Sequence, residues 1–373
     1  MDSLTQAVLG GAVGSAVAGP RVGRRAALWG AVAGTLPDLD VLAYPLLDPS
    51  GELRFHRGPT HGLAFAFVAG PALGWLVWRF ERWRAERRAS REAEPALRAP
   101  DGPDAGTWRL WAAVWFWALL THPILDTFTV YGTQLLSPFS DRPFAIGSVF
   151  IIDPAYTVPL AAGLVAALAA RRPERRRRWA AWGLAVSTAY LAWSLVAQGV
   201  AEREARRALA AEGVRPERVL TVAGPLSTLL WRTVAEVETD SGTVYLSGNR
   251  SLLDSGTGMA FSATEAGLGA LTPVEGSRQL ETLRWFSRGW LLARPGRGGA
   301  VEVSDLRFGR ADGGLGPGEA PWIFTWTLTP GPDGVEMRQE DFAPRLSAGQ
   351  LRALARRTLG DPTAGRTAPP APR

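Results

Sequence analysis

The sequence has no cysteine and no lysine, and only three histidines in 373 residues. Without cysteine there is no disulfide framework, no iron–sulfur cluster, no thiolate zinc site and no thiol nucleophile. Without lysine there is no Schiff base and no phosphate-binding Walker lysine. All 41 basic residues are therefore arginine, against 35 acidic ones, for a net charge of +6. Such an excess ordinarily points to nucleic acid or an anionic membrane surface. Disorder is excluded, because 46% of the chain is apolar and only 20% charged.

The averages conceal two halves. The first 200 residues contain long apolar runs at Leu4–Ala18, Ala26–Leu47, Leu63–Val77, Trp108–Leu120, Val149–Ala170 and Trp179–Val200. A membrane-crossing helix needs roughly 20 predominantly apolar residues, and four of these runs meet or approach that length. The first two are weaker, being rich in Gly and Ala. The N-terminus does not read as a cleaved signal peptide: its only early charge is Asp2, and the arginines follow the apolar run.

Arginine alternates between the connectors. Arg21–Arg25 holds three, Arg79–Arg98 seven and Arg171–Arg178 six. The intervening connectors hold only Arg54 and Arg57, and Arg142. Short basic loops stay cytoplasmic. Six spans put all three basic connectors inside and the poor ones outside. This accounts for the arginines without nucleic acid, which we do not expect as a partner.

The second half is patterned for strands. Thr233–Glu238 and Thr243–Ser247 flank Asp240-Ser241-Gly242, a hairpin signal. Leu283–Leu292, Ala300–Phe308 and Trp322–Leu328 read as further strands, separated by Gly/Pro clusters at Pro295–Gly299 and Gly313–Gly318. The fold class is therefore mixed: a polytopic α-helical membrane domain of about four to six spans, then a small β-rich extracytoplasmic domain. We divide the chain into 1–200 (membrane domain), 201–218 (charged helical linker), 219–345 (β-rich domain) and 346–373 (short helix and disordered tail).

All three histidines lie in the first half, beside carboxylates. Asp38 and Asp40 stand in PDLD, His56 and His61 in HRGPTH, and His122 and Asp126 in THPILD. The six-span topology brings these three stretches to the outer face. His122 and Asp126 are four apart, on one side of a helical turn. Imidazole and carboxylate are what zinc, manganese or iron use in the absence of thiolate. Metal ligands are therefore expected among His56, His61, His122, Asp38, Asp40 and Asp126. They suffice for one metal with supporting carboxylates, or for two about 3.5–4 Å apart. A free carboxylate, Asp38 or Asp126, suits a general base. Arg57 or Arg142 suits an anionic group, and an ion pair to Asp38 or Asp126 is the structural alternative. Asp153 opens the fifth run on the same side and reads as a further ligand or an orienting group. Thr60 reads as a cap for the third run.

These residues resemble the YdjM-like family of inner-membrane proteins, described as membrane-bound metal-dependent hydrolases. The similarity rests on MDSLTQAVLGGAVG, GTLPDLD, HRGPTH and THPILDTFTVYGTQLLSPFSDR, and extends to PLSTLLWR, SLLD, LRWFSRG and DLRFG. The family's usual HRGxTHS has Gly62 here in place of Ser, and some members carry His where this chain has Gln6. The resemblance implies a multi-pass bacterial inner-membrane protein and hydrolase activity. Some members are described as LexA-binding, which implies a regulatory protein contact. A more distant similarity to zinc-dependent phospholipase C and nuclease folds fits helices carrying His and Asp.

Two readings result. In the first, a divalent metal, zinc above manganese or iron, serves a hydrolase acting at the outer face on a phospholipid or phosphoester-type substrate. In the second, the metal is structural, the protein is non-catalytic, and the β-rich domain recruits a protein partner. The lipid bilayer is a partner in both. A transporter fits less well, because the ligand-type residues gather at one face and not at midplane.

Overall fold

A computed structural model describes residues 1–89, 107–256, 258–313, 320–340 and 347–364. The expected disordered tail beyond residue 364, Arg91 and Arg98 of the long connector, and most of the Gly313–Gly318 cluster lie outside the described residues. The chain divides into two compact units. The first comprises Met1–Tyr44, Phe55–Ala145 and Ile151–Ala192; the second comprises Pro45–Arg54, Ile146–Phe150 and everything from Trp193. The division is not a single cut near residue 200, because two connectors of the first half belong to the second unit.

The helices are α1 (Ser3–Val17), the single turn α2 (Gly19–Val22), α3 (Arg25–Thr35), α4 (Pro49–Phe55), α5 (Leu63–Ala89), α6 (Trp108–Thr127), α7 (Pro154–Ala169) and α8 (Pro173–Ala211). A 3-10 segment, Leu36–Leu46, follows α3 directly, and a 3-10 turn, Pro59–His61, precedes α5. Among the described residues, three helical stretches are long and apolar enough to cross a membrane: Arg25–Leu46, Leu63–Arg88 and Pro173–Ala211. Ser3–Val17 and Pro154–Ala169 are shorter apolar helices. At 1.5 Å per residue α1 is about 22 Å long, short of a hydrocarbon core of about 30 Å.

Side-chain oxygens start the helices: Asp2 caps α1, Thr107 caps α6 and Asp153 caps α7. Small residues let them meet. A Cβ on Gly10 of α1 would lie 2.1 Å from the Gly30 carbonyl oxygen of α3, so the two backbones touch where no larger residue fits. Gly74 of α5 packs on Ala112 of α6 in the same way. The centre of this unit is α6, whose Trp111, Val114, Trp115, Ala118 and Leu119 are buried.

The arginines of the basic connectors are also structural. Arg176 donates to the carbonyls of Gly19 and Ala170, and Arg24 to that of Leu168. The Leu168 and Ala170 carbonyls stand at the end of α7, where the backbone has no internal partner. Arg25 pairs with buried Glu81 at 2.7 Å, and the Trp29 indole donates to the same carboxylate.

The second unit holds two four-stranded antiparallel sheets. One has the order β1 (Arg218–Ala223), β2 (Leu230–Thr239), β3 (Gly242–Ser251), β4 (Ser262–Glu265). The other has the order β5 (Leu291–Pro295), β6 (Val301–Asp305), β7 (Thr325–Gly331), β8 (Gly334–Gln339). The Asp240-Ser241 turn joins β2 to β3, with Thr239 opposite Gly242. The expected strand Leu283–Leu292 divides. Its first half belongs to helix α9 (Arg278–Ser287), capped by Ser277, and only its end enters β5. Leu280, Leu283 and Phe286 are buried at helical spacing, which outweighs the β-propensity of the run.

Residues 201–211, expected as a linker, continue α8 without a break. A last helix, α10 (Ala348–Thr358), is tied by Arg357 to Asp254 through two short bonds of 2.6 and 2.7 Å. Thus SLLD reads as an anchor for α10. DLRFG supplies the buried pair Asp305–Arg307, with the guanidinium over the Phe286 ring.

Candidate metal centre

The site is assembled in the first unit from three stretches. Asp38 and Asp40 stand on the Leu36–Leu46 segment. At three residues per turn, two positions apart means roughly 240° of rotation, so these side chains diverge. His61 ends the Pro59–His61 turn. His122 and Asp126 sit one turn apart on α6 and share a face.

Asp38, His61, His122 and Asp126 converge, with one ligand-type atom from each lying within 4.8 Å of the others. The two imidazole Nε2 atoms are 3.1 Å apart. Asp38 Oδ1 lies 3.5 Å from His61 Nε2 and 3.4 Å from His122 Nε2. Asp126 Oδ2 lies 3.5 Å from each. His61, His122 and Asp126 are fully buried, whereas the Asp38 side chain keeps 14% of its surface.

The hydrogen bonds behind the rings identify which nitrogens carry protons. His122 Nδ1 lies 2.6 Å from the Gly34 carbonyl oxygen, which can only accept, so Nδ1 is the donor. The Thr60 hydroxyl donates to the Pro37 carbonyl and therefore accepts from His61 Nδ1 at 3.1 Å. In the neutral rings both Nε2 atoms are then bare. Two nitrogen lone pairs and two carboxylate oxygens face one another. A proton placed among them satisfies two of the four; a tetrahedral cation satisfies all. Ligands about 2.0–2.1 Å from such an ion stand about 3.3–3.4 Å from each other, and the spacings of 3.1–3.5 Å that involve the two imidazoles are close to that. The N2O2 donor set suits zinc, manganese or iron.

Supporting residues orient each donor. Buried Gln6 donates to Asp126 Oδ1 at 2.9 Å and to the His122 carbonyl at 3.2 Å. The Met1 amine also pairs with Asp126 Oδ1. Asp126 Oδ2 is left without a hydrogen bond and turned to the cluster. Arg57 is 3% exposed, has a positive φ of 55°, and sets Nε 3.4 Å from Asp126 Oδ2. Its guanidinium donates to Thr129 Oγ1 and covers the Tyr131 ring. A left-handed non-glycine backbone costs of order 1–3 kcal/mol. Here the Arg57 N–H donates to Asp40 Oδ2 and its carbonyl accepts from Gln134 N–H, each at 2.9 Å, which holds the strained conformation.

His56 and Asp40 stand outside the four-residue group. His56 Nδ1 meets Asp40 Oδ1 at 2.9 Å, and its ring centroid is 6.1 Å from that of His61. Of the three histidines expected among the ligands, two converge, and His56 packs against Tyr44 and Tyr131. The divergence of Asp40 from Asp38 is what sends the His56 pair elsewhere. Arg142 is exposed, with its guanidinium over Phe144. Asp153 caps α7 and accepts from the Tyr190 hydroxyl at 2.9 Å. Sequence reading missed the roles of Gln6, Thr60 and Gly34. Gln6 carried a signal, as an uncharged polar group inside an apolar run; a backbone carbonyl such as that of Gly34 carries none.

A family profile described as "YdjM inner membrane protein" matches residues 1–201. Inner membrane protein YbcI of Escherichia coli (strain K12) is 33% identical over 158 residues, 40% of this chain and 76% of YbcI. Uncharacterized protein YfhP of Bacillus subtilis (strain 168) is 31% identical over 167 residues, 41% of this chain. The match spans only 42% of YfhP's own length. No solved structure matches the chain.

Proposed function

The chain belongs to the YdjM inner membrane protein family, and on that premise we propose that it is a multi-pass membrane metallohydrolase with its site at the outer face. The observation that carries the metal reading is the pair of bare Nε2 atoms 3.1 Å apart between two carboxylates. The alternation of arginine-rich and arginine-poor connectors supports the orientation. On it the sheet-bearing second half lies outside the cytoplasm.

His61, His122 and Asp126, all fully buried, would hold a divalent ion, zinc above manganese or iron. When bound, such an ion supplies Lewis acidity and a nucleophile at neutral pH. Asp38, the one partly exposed member, is the general base on the open side. Asp126 is unsuited to that role, because Gln6, the Met1 amine and Arg57 already engage its carboxylate. Arg57 balances the buried charge. Of the two arginines, Arg142 has the exposure that an anionic substrate group requires. A phosphoester, including a lipid headgroup, is the substrate class an outer-face site of this kind would meet.

The second reading keeps the metal and removes the chemistry. Four protein groups would fill a tetrahedral shell around one ion, which is the arrangement of structural sites. Elemental analysis of detergent-purified wild type beside Asp38→Asn and His122→Ala, with hydrolysis of phosphoesters assayed in parallel, separates the two. The hydrolase reading expects Asp38→Asn to keep metal and lose turnover, and His122→Ala to lose both. Metal with no hydrolysis in any sample supports the structural reading. Wild type without stoichiometric metal ends both.

A further inference from the structure

Within the first unit, the metal cluster and the basic connectors lie at opposite ends. Gln6, Gly34, His122 and Asp126 meet at the cluster. α1 and α3 run antiparallel, Gly10 facing Gly30 and Gly14 facing Ala26, so the turn that carries Arg21 and Arg24 is at the far end. There Arg25 reaches Glu81 of α5, and Arg176 of α8 reaches the Gly19 carbonyl. α5 and α6 are also antiparallel, Gly70 facing Phe116 and Gly74 facing Ala112, which brings Arg79–Arg88 to the end of α6 that carries Arg109. Along α6, Arg109 is about 20 Å from His122.

The charge at this end is largely uncompensated. Glu81 is buried against Arg25, and Glu86 pairs with Arg82. Glu174 is the one other acid among the described residues of these stretches. Arg79, Arg87, Arg88, Arg175, Arg177 and Arg178 are exposed, and none has an acidic partner among the described residues. On α5 a tryptophan stands one turn before an arginine three times. Arg79 lies over Trp75 at 5.7 Å, Arg82 over Trp78 at 5.7 Å and Arg87 over Trp83 at 4.2 Å. On α8, Arg175 and Arg178 share a side with exposed Trp179 and Trp182.

Apolar side chains are interleaved with these cations. Trp75, Leu76, Phe80 and Trp83 keep 45–53% of their surface. A surface for nucleic acid has no need of bare Leu76 and Phe80. A bilayer surface uses both kinds of group: indoles and apolar side chains enter the interface, while guanidiniums stay at the phosphates.

We infer that the arginine-rich end of the first unit binds the phosphates of anionic phospholipids, with the α5 indoles holding guanidiniums at headgroup level. A guanidinium takes a phosphate through two parallel N–H donors. One already resting on an indole has less freedom to lose when it does so. The inference rests on the multi-pass membrane reading and is independent of the metal centre. It concerns the leaflet opposite to the one that would present a substrate.

The test uses the full chain reconstituted into vesicles of equimolar phosphatidylcholine and phosphatidylglycerol. Each lipid is brominated in turn, and quenching of tryptophan fluorescence reads which headgroup surrounds the indoles. The ratio of the two quenchings cancels changes in the indoles themselves. Wild type is expected to prefer phosphatidylglycerol about fivefold, the scale of one arginine at an anionic surface, and to lose the preference in high salt. Arg79→Gln/Arg82→Gln/Arg87→Gln, which leaves Arg171–Arg178 to hold the orientation, is expected to lose most of it. Arg338→Gln/Arg352→Gln/Arg356→Gln removes the same charge from exposed positions of the second unit and is expected to keep it. Arg175→Gln/Arg178→Gln takes the place of the α5 variant if that variant does not fold. Inserted wild type with no preference, or an equal loss in the second-unit variant, overturns the inference. So does binding of duplex RNA in detergent without a lipid preference, which would assign the surface to nucleic acid. Wild type that fails to float with the vesicles ends the multi-pass reading and this inference with it.

Discussion

His61 and His122 face each other Nε2 to Nε2 at 3.1 Å, and each is held there by an acceptor behind its Nδ1. For His122 the acceptor is the Gly34 carbonyl, part of the backbone. For His61 it is the Thr60 hydroxyl, a side chain that can be removed. The two rings are thus oriented by supports of different vulnerability.

Thr60→Val keeps the shape of Thr60 and removes the acceptor. His61 Nδ1 is then left with the more distant Asp40 carboxylate, at 3.6 Å, and its tautomer is held less firmly. Metal affinity is expected to fall about 10–100-fold, with the fold retained. Competitive titration against a chelator, alongside circular dichroism, measures both. An affinity within twofold of wild type would show that Thr60 does not orient His61.

Gly10→Ala places a methyl group 2.1 Å from the Gly30 carbonyl oxygen, so α1 and α3 must separate. Overpacking of this kind costs about 1–3 kcal/mol. The change also reaches the site, because Gln6 on α1 and Gly34 on α3 support Asp126 and His122. A lower melting temperature together with weaker metal retention is expected. A variant that melts like wild type would mean that the helices are not in contact at Gly10.

Tyr245, on β3 and 2% exposed, has its phenol pushed up to about 12 by burial, with nearby Glu236 adding to the effect. Its unfolded value is about 10. Between these values the folded state binds the extra proton, so stability falls as pH rises through that window. The contribution is fully present below pH ~10 and is lost by pH ~12, an effect of about 3 kcal/mol. Arg232, lowered to about 10 by burial, works in the opposite direction and is common to both proteins. Melting curves at pH 9 and 11 should therefore converge in Tyr245→Phe relative to wild type; an equal loss in both proteins rules out the tyrosine.

Much of the candidate cluster was legible in the sequence. Three histidines and their neighbouring carboxylates are the scarce ligand-type groups of the apolar half, and scarcity made them conspicuous. His122 and Asp126 could be paired by helical spacing alone. The division of labour between Asp38 and Asp40 could not, because it depends on Leu36–Leu46 being helical and not extended. A regular α-helix would set the two residues about 200° apart, and a strand would set them on one side. Leu283–Leu292 shows the same limit. Its composition favours a strand, but the buried spacing of Leu280, Leu283 and Phe286 made α9.

The sequence by itself determined the chemistry available: no thiol, no lysine, two kinds of metal-ligating group, and arginines sorted by connector. Residue type and linear order suffice for that, since what a side chain can donate or bind is local. Only the tertiary structure decided which four of the six ligand-type residues meet. It also decided that Gln6, Thr60 and the Gly34 carbonyl orient them, and that residues 45–54 belong with the sheets. Those outcomes depend on distances between atoms far apart in the chain, and packing, including the glycine contact of α1 with α3, sets those distances.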